Sequence, residues 1–136
     1  MEEKEKRVLV DMSATLIHHG HIRLLKEAKK YGYLIVGLTS DEEIIKKKGY
    51  VPELNFPQRA EIIGSIQYVD EVIESPWLIE ESYLDRHNID LLVHGNDNSN
   101  PIDKDRLLIF PRTKGISSSI LRANVLKSVS SIISKP

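Results

Sequence analysis

The stretch from Val8 to Leu38, VLVDMSATLIHHGHIRLLKEAKKYGYLIVGL, decides the fold because the spacing of its apolar residues changes twice. Val8-Leu9-Val10 is a continuous aliphatic run, which is typical of a strand covered on both faces. From Gly20 to Lys30 the apolar residues recur at helical spacing, and Gly32 then ends the helix. Tyr33 to Leu38 is a second apolar strand. The stretch therefore predicts a strand–helix–strand unit of the kind that builds parallel sheets.

The rest of the chain continues this pattern of strands and helices. Ser40 can cap a second helix that runs to about Lys48 and ends near Gly49, with Glu43 reaching back to the cap. Further helices are predicted from Pro57 to about Gln67, from about Ile79 to His87 with Asn88 as a left-handed cap, and from Ser117 to Ile133, and further strands at Glu71–Ile73, Leu91–Val93 and Leu107–Phe110. We therefore expect a single α/β domain over residues 1–136, with helices on both faces of a parallel sheet.

Composition narrows the functional class. The 136 residues fit one domain, and 19 Lys and Arg against 20 Asp and Glu give a net charge of −1, which argues against binding nucleic acid or membrane by bulk charge. No apolar run approaches the ~20 residues that span a bilayer, and the N-terminus lacks the apolar core of a signal peptide. Without cysteine there is no disulfide and no thiolate metal site. We expect a cytoplasmic enzyme or binding domain for small molecules, with no nucleic-acid or membrane partner.

Ligands of open α/β sheets bind at the carboxyl ends of strands, and His18-His19-Gly20-His21 falls at such a place, where the first long helix begins. A helix N-terminus is an anion site, Gly20 allows close backbone approach, and the imidazoles can donate to phosphoryl oxygens. The alternatives are a metal site, for which no further ligands are evident nearby in the sequence, and an incidental surface cluster. The arrangement favours phosphate binding.

Two further clusters are weaker alone. Lys46-Lys47-Lys48-Gly49 ends a helix, where lysines simply complement the helix dipole. The segment from Arg112 to Ser119 opens the last helix, where Ser117 or Ser118 could be an ordinary N-cap. Two helix starts with anion-binding residues, with lysines between them, together point to a nucleotide site.

His18-x-Gly20-His21 resembles the HxGH signature, and Arg112-Thr113-x-Gly115-Ile116-Ser117-Ser118-Ser119 resembles the RTxGISTT signature. By this pair the chain is similar to the cytidylyltransferases of the HxGH nucleotidyltransferase superfamily, such as those for ethanolamine-phosphate, choline-phosphate and glycerol-3-phosphate. The resemblance extends from about Val8 to Leu121.

The resemblance implies a Rossmann-like, doubly wound parallel sheet and transfer of CMP from CTP to a phosphorylated small acceptor, with release of pyrophosphate. Such a reaction serves the synthesis of lipid-headgroup or surface-polysaccharide precursors. It also implies Mg²⁺ and a homodimer that pairs through Tyr68–Val72. The alternatives are an adenylyltransferase that uses ATP and a catalytically inactive nucleotide-binding protein.

The resemblance further implies roles for particular residues. His18, His21, Lys46 and Arg112 would be catalytic, by neutralising charge that develops on the phosphates. The nucleotide would be bound by Ser13, Gly20, Lys48, Gly95, Asn96, Asp97, Thr113, Gly115, Ile116, Ser117, Ser118 and Ser119. Arg59 would bind the acceptor, and no metal ligand of the protein is predicted. Independently of the resemblance, Trp77 is a candidate for acceptor binding because its ring can stack on a quaternary ammonium, and the alternative is a packing anchor in its loop.

One segment departs from the family pattern. Relatives have Gly-Thr-Phe-Asp or Gly-Cys-Tyr-Asp before the HxGH, where this chain has Met12-Ser13-Ala14-Thr15. Met12 in place of glycine is expected to leave less room for the phosphates to approach the backbone. Thr15 in place of aspartate is expected to alter metal or ribose contacts.

Overall fold

The computed structural model describes residues 5–95, 98–111 and 113–133. Within these ranges the elements follow one another as β1 Arg7–Met12, α1 His19–Lys29, β2 Tyr33–Thr39, α2 Asp41–Lys48, α3 Phe56–Gly64, β3 Glu71–Ser75, α4 Glu81–Arg86, β4 Leu91–Gly95, β5 Leu107–Phe110 and α5 Ser118–Ile133. A short 3₁₀ turn, Lys104–Arg106, leads into β5.

The strands form one parallel sheet in the order β3-β2-β1-β4-β5. Val10 of β1 pairs with Val36 of β2 on one side and with Val93 of β4 on the other, so the carboxyl ends of the three central strands lie at one edge. The strand order reverses at β1, and ligands of open α/β sheets bind at such a point. The predicted α/β class and parallel sheet are confirmed.

Two apolar clusters cover the two faces of the sheet. Because side chains alternate along a strand, Val8 and Val10 lie in one cluster with buried residues of α1 and α3, while Leu9 lies in the other with Leu84 of α4. All four of these side chains are fully buried. The prediction of helices on both faces is therefore confirmed, and the buried β1 is fixed between its neighbours.

Most predicted helix ends agree with the structure. The Ser40 hydroxyl accepts the Glu43 N–H at 3.2 Å to begin α2, and Gly49 ends that helix with φ 79°. Asn88 also has the predicted left-handed backbone, with φ 56°.

Two boundaries were wrong. α3 ends at Gly64 rather than near Gln67, because beyond it the chain makes a tight turn in which Ile66 N–H donates to Ile63 O at 3.1 Å. α4 begins at Glu81 rather than at Ile79, whose N–H donates to Asn100 Oδ1 at 2.7 Å. In the described part of the chain, no helix is long and apolar enough to cross a membrane.

Candidate active site

A cavity of about 700 Å³ opens at the carboxyl edge of the sheet, between β1, β4 and the first turns of α1 and α5. Its wall contains most of the predicted nucleotide-binding residues, namely Ser13, Gly20, Lys48, Gly95, Thr113, Ile116, Ser117, Ser118 and Ser119. The predicted catalytic residues His18 and His21 and the predicted acceptor residue Trp77 also line it. The structure thus brings the two helix-start clusters, which lie almost 100 residues apart in the sequence, onto one cavity.

His18 and His21 cap α1 reciprocally. Nδ1 of His18 accepts the Gly20 N–H at 3.1 Å, and Nδ1 of His21 accepts the His18 N–H at 3.1 Å. The ring centroids are 3.9 Å apart. The imidazoles therefore satisfy backbone donors that the first turn of a helix otherwise leaves without partners. The HxGH motif is a helix cap built from histidines.

This cap decides which nitrogen of each ring carries the proton. Since Nδ1 accepts a backbone N–H in both rings, a neutral His18 or His21 has its proton on Nε2. Burial, with a smaller contribution from the charge of His19, lowers the pKa of His18 below its ordinary value of 6.5. At neutral pH the site thus holds His18 as a neutral ring whose Nε2–H is a donor.

Gly20 is required by the histidine itself. A Cβ at Gly20 would lie 2.9 Å from both Cε1 and Nδ1 of His18, and 3.4 Å from Ile116 Cγ2. Any side chain there would displace the imidazole from its cap. The sequence suggested close approach of a phosphate as the reason for this glycine, and the structure adds the packing of His18 against it.

Ser117 and Ser118, at the start of α5, make different hydrogen bonds. Ser117 Oγ accepts the Ile120 N–H at 3.1 Å and is the cap that the sequence left open as an alternative. Ser118 Oγ accepts the Leu16 N–H at 3.3 Å and donates to Leu16 O at 3.0 Å. Ser118 therefore fastens the segment before His18 to the last helix.

The predicted basic and aromatic residues are placed differently from one another. Lys48 and Trp77 lie on the cavity wall, with Lys48 Nζ 5.8 Å from the centroid of the Trp77 ring. Lys46 is exposed and is not part of that wall, and Gly115 occupies an open left-handed turn with φ 79°. Their roles in the site stay predictions.

Arg59 is fully buried rather than exposed to the cavity. Its guanidinium donates to Ser13 O at 2.7 Å, to Thr39 O at 2.9 Å and to Asp41 Oδ1 at 2.6 Å, and its Nε–H to Leu54 O at 3.1 Å. Through these hydrogen bonds Arg59 connects the ends of β1 and β2 to α2, which is a structural role. Acceptor binding by Arg59 stays a prediction.

Three predicted residues, Asn96, Asp97 and Arg112, lie outside the described residues, so their roles also remain predictions. The departing segment is described. Met12 lines the cavity and packs against the apolar cluster beneath α1, and Thr15 also lies on the wall with 1% of its surface exposed.

Sequence reasoning missed a polar pair at the centre of this edge. Asp11 Oδ1 and His94 Nδ1 are 2.6 Å apart, at the ends of the adjacent strands β1 and β4, and both line the cavity. The signal was present, because each residue is the first polar one after a buried apolar run. Only the strand order, which pairs β1 with β4, shows that they meet.

In the described ranges, no three His, Asp or Glu residues come together in an arrangement that could hold a metal ion.

Comparison with known proteins shows the family of this chain. A family model described as "Cytidylyltransferase-like" matches residues 13–109. Ethanolamine-phosphate cytidylyltransferase of Dictyostelium discoideum is 37% identical over 136 residues, which cover 91% of this chain and 38% of that protein. Glycerol-3-phosphate cytidylyltransferase of Bacillus subtilis is 36% identical over 126 residues, which cover 88% of this chain and 97% of that protein.

The chain thus spans just over a third of the ethanolamine-phosphate relative and nearly all of the glycerol-3-phosphate relative. Among solved structures, the lipopolysaccharide core biosynthesis protein of Thermoplasma volcanium superposes with a TM-score of 0.69 at 21% identity, over 82% of this chain and 100% of that one. This likeness shows a shared fold.

Proposed function

Because this chain belongs to the cytidylyltransferase-like family, we propose that it transfers CMP from CTP to the phosphate of a small phosphorylated acceptor. An acceptor phosphate oxygen attacks the α-phosphorus of CTP, the bond from that phosphorus to the oxygen bridging to the β-phosphate breaks, and pyrophosphate leaves. The observation that carries the proposal is the joint placement of the capped histidines and the first turn of α5 on one cavity.

The histidines supply the chemistry by stabilising charge. Attack needs no nucleophile from the protein, so catalysis consists of positioning the phosphates and stabilising negative charge as it grows on their oxygens. His18 and His21 are held by the backbone of α1 with Nε2–H as donor, so they do not have to reorganise during the reaction. Removing one donor of this kind typically slows a reaction by roughly 100- to 1,000-fold.

The start of α5 and the lysines complete the proposed site. The first turn of α5 presents the cavity residues Ser117, Ser118 and Ser119 where the helix dipole favours an anion, and would hold the β- and γ-phosphates with Thr113 and Arg112. Lys48 would neutralise phosphate charge on the opposite wall, with Lys46 assisting. Gly95, Asn96 and Asp97 follow β4 and would lie near the base and ribose.

Mg²⁺ belongs to this proposal as the metal complex of CTP. Oxygen ligands from phosphates and one or two carboxylates suit Mg²⁺, and Asp11 is a carboxylate of the described cavity wall. The ion would supply charge neutralisation at the phosphates.

The acceptor is proposed to be a phosphomonoester of a small alcohol. The relatives are named for ethanolamine-phosphate, glycerol-3-phosphate and choline-phosphate, which share only the phosphate group. Lys48 is a cation of the cavity wall that lies beside Trp77, and this side of the cavity would receive that phosphate. We also propose a cytoplasmic enzyme that works as a homodimer, in a biosynthetic route that consumes a CDP-linked precursor.

Pyrophosphate release tests the function. The full chain with Mg²⁺ is incubated with each of the four nucleoside triphosphates, in turn with glycerol 3-phosphate, phosphoethanolamine and phosphocholine. We expect release with CTP and one acceptor, and none without the acceptor. If ATP, rather than CTP, is the nucleotide that supports release with an acceptor, the chain is an adenylyltransferase. Nucleotide binding without release would indicate an inactive nucleotide-binding protein.

A further inference from the structure

Arg122, on the second turn of α5, contacts two other segments beside the cavity. Its Nη2 donates to Thr15 Oγ1 at 2.7 Å and to Glu53 Oε1 at 2.7 Å, and its Nε donates to the second carboxylate oxygen of Glu53. The guanidinium carbon lies 4.4 Å from the centroid of the Tyr50 ring. One side chain thus joins α5, the segment between β1 and α1, and the loop that follows α2.

The segment between β1 and α1, which Arg122 contacts through Thr15, has a strained backbone. Ala14 has a positive φ of 49°, a conformation that residues with a side chain seldom adopt and that persists only where the surroundings impose it. Thr15 follows it and is 1% exposed. Because His18 comes three residues later, the backbone path of this segment sets where the catalytic cap begins.

Three side chains from other parts of the fold hold residues 13–16 in place. Arg59 holds Ser13 O at 2.7 Å, Arg122 holds the Thr15 hydroxyl, and Ser118 bonds both backbone groups of Leu16. Ser118 and Arg122 lie one turn apart on α5. The last helix therefore holds the segment through two neighbouring side chains, and of these only Arg122 also reaches the loop after Lys48.

Glu53 and Tyr50 orient the guanidinium. The carboxylate of Glu53 pairs with two of its nitrogens in the fork geometry that arginine favours, and the ring of Tyr50 lies within stacking distance. The hydrogen bond from Arg122 lowers the pKa of Glu53 below its ordinary value, so the carboxylate stays charged at neutral pH. A lysine could not make the same set of contacts, because it lacks the planar fork.

We infer that Arg122 is a positioning residue for the proposed transfer, which holds Thr15 so that His18 meets phosphates bound at the first turn of α5. The inference rests on the proposed function. It concerns a residue outside both sequence signatures, and it assigns a purpose to the threonine that stands where relatives have aspartate. Arg122 itself does not line the cavity in the described structure.

The test compares Arg122→Met with a matched arginine. Arg106→Met is the control, because Arg106 is likewise paired with acidic side chains, Glu81 and Asp85, as Arg122 is with Glu53. Its side chain is 25% exposed against 23% for Arg122, and it does not line the cavity in the described structure. Because misplacing a reacting group by about 1 Å can cost roughly 100-fold in rate, we expect Arg122→Met to lower kcat about 10- to 100-fold. KM for CTP should change less than about threefold, and Arg122→Lys should recover only part of the loss.

The reason for the effect is checked by Thr15→Val. If Arg122 acts through Thr15, this variant should also lower kcat, and the double variant Thr15→Val/Arg122→Met should be no slower than Arg122→Met alone. A kcat for Arg122→Met within about twofold of the parent, with a fall in Tm similar to that of Arg106→Met, would show that the arginine only stabilises the fold.

A second readout does not depend on turnover. In ¹H–¹⁵N spectra of the imidazoles, Arg122→Met should raise the pKa of His18 towards 6.5, because a loosened segment exposes the ring. Arg106→Met should leave it unchanged. If the parent enzyme turns over no nucleotide, the proposed function fails, while this titration still decides whether Arg122 positions His18. An unchanged pKa of His18 in Arg122→Met would overturn that positioning.

Discussion

At the scale of single residues, the imidazole of His18 combines a structural role with the proposed chemical one. Nδ1 caps the helix by accepting the Gly20 N–H, and this requires a neutral ring because a protonated Nδ1 has no lone pair to accept with. The sequence predicted both histidines and their position at a helix start. It could not predict the tautomer, because this depends on which backbone N–H each Nδ1 meets.

The cap predicts a pH dependence of stability. The folded-state pKa of His18 lies below 6.5, so as pH falls the unfolded chain takes up its proton first. The stabilisation from neutral His18 is therefore fully present above pH 6.5 and is lost as pH falls through the lowered pKa. His18→Asn keeps an N-cap acceptor that does not titrate. Thermal melting of both proteins between pH 8 and 5 should show a smaller loss for the variant, and parallel curves would contradict the assignment.

At the scale of elements, the order of strands and helices followed from apolar spacing, whereas the contacts between distant elements did not. Local spacing placed β1, α1 and β2, but the start of α4 depended on a hydrogen bond to Asn100, which lies 21 residues from Ile79. Arg59 was predicted, from the resemblance, to bind the acceptor. Only the fold shows that its guanidinium donates to Ser13 O, Thr39 O and Asp41 Oδ1. Sequence spacing carries no information on such pairings.

Ser118 gives a prediction at this scale. Ser118→Ala would leave the N–H and C=O of Leu16 without their described partner, and an unsatisfied backbone group costs ~1–3 kcal/mol. Urea denaturation should show a loss of this size in the free energy of unfolding. Ser119→Ala, at an exposed position of the same turn, is the control and should change it by less than about 0.5 kcal/mol. Equal values for the two variants would rule out the fastening role of Ser118.

At the scale of the whole molecule, β3 is an edge strand of the sheet, and the segment Tyr68–Val72 leads into it. An edge strand offers unpaired backbone groups that a second chain can cover. This edge supports the proposed homodimer. Sedimentation equilibrium at micromolar concentration should give twice the chain mass, and a single species of 15.5 kDa would exclude the dimer.

For the whole molecule, the proposed function is CMP transfer in the cavity at the reversal of strand order, with charge stabilisation by the capped histidines. The most direct measurement is the rate of CDP-linked product formation from CTP by His21→Ala, with thermal melting as the check on folding. We expect a fall of roughly 100-fold or more, since a preorganised donor at the phosphates is lost. A folded His21→Ala enzyme within about threefold of the parent rate would contradict it.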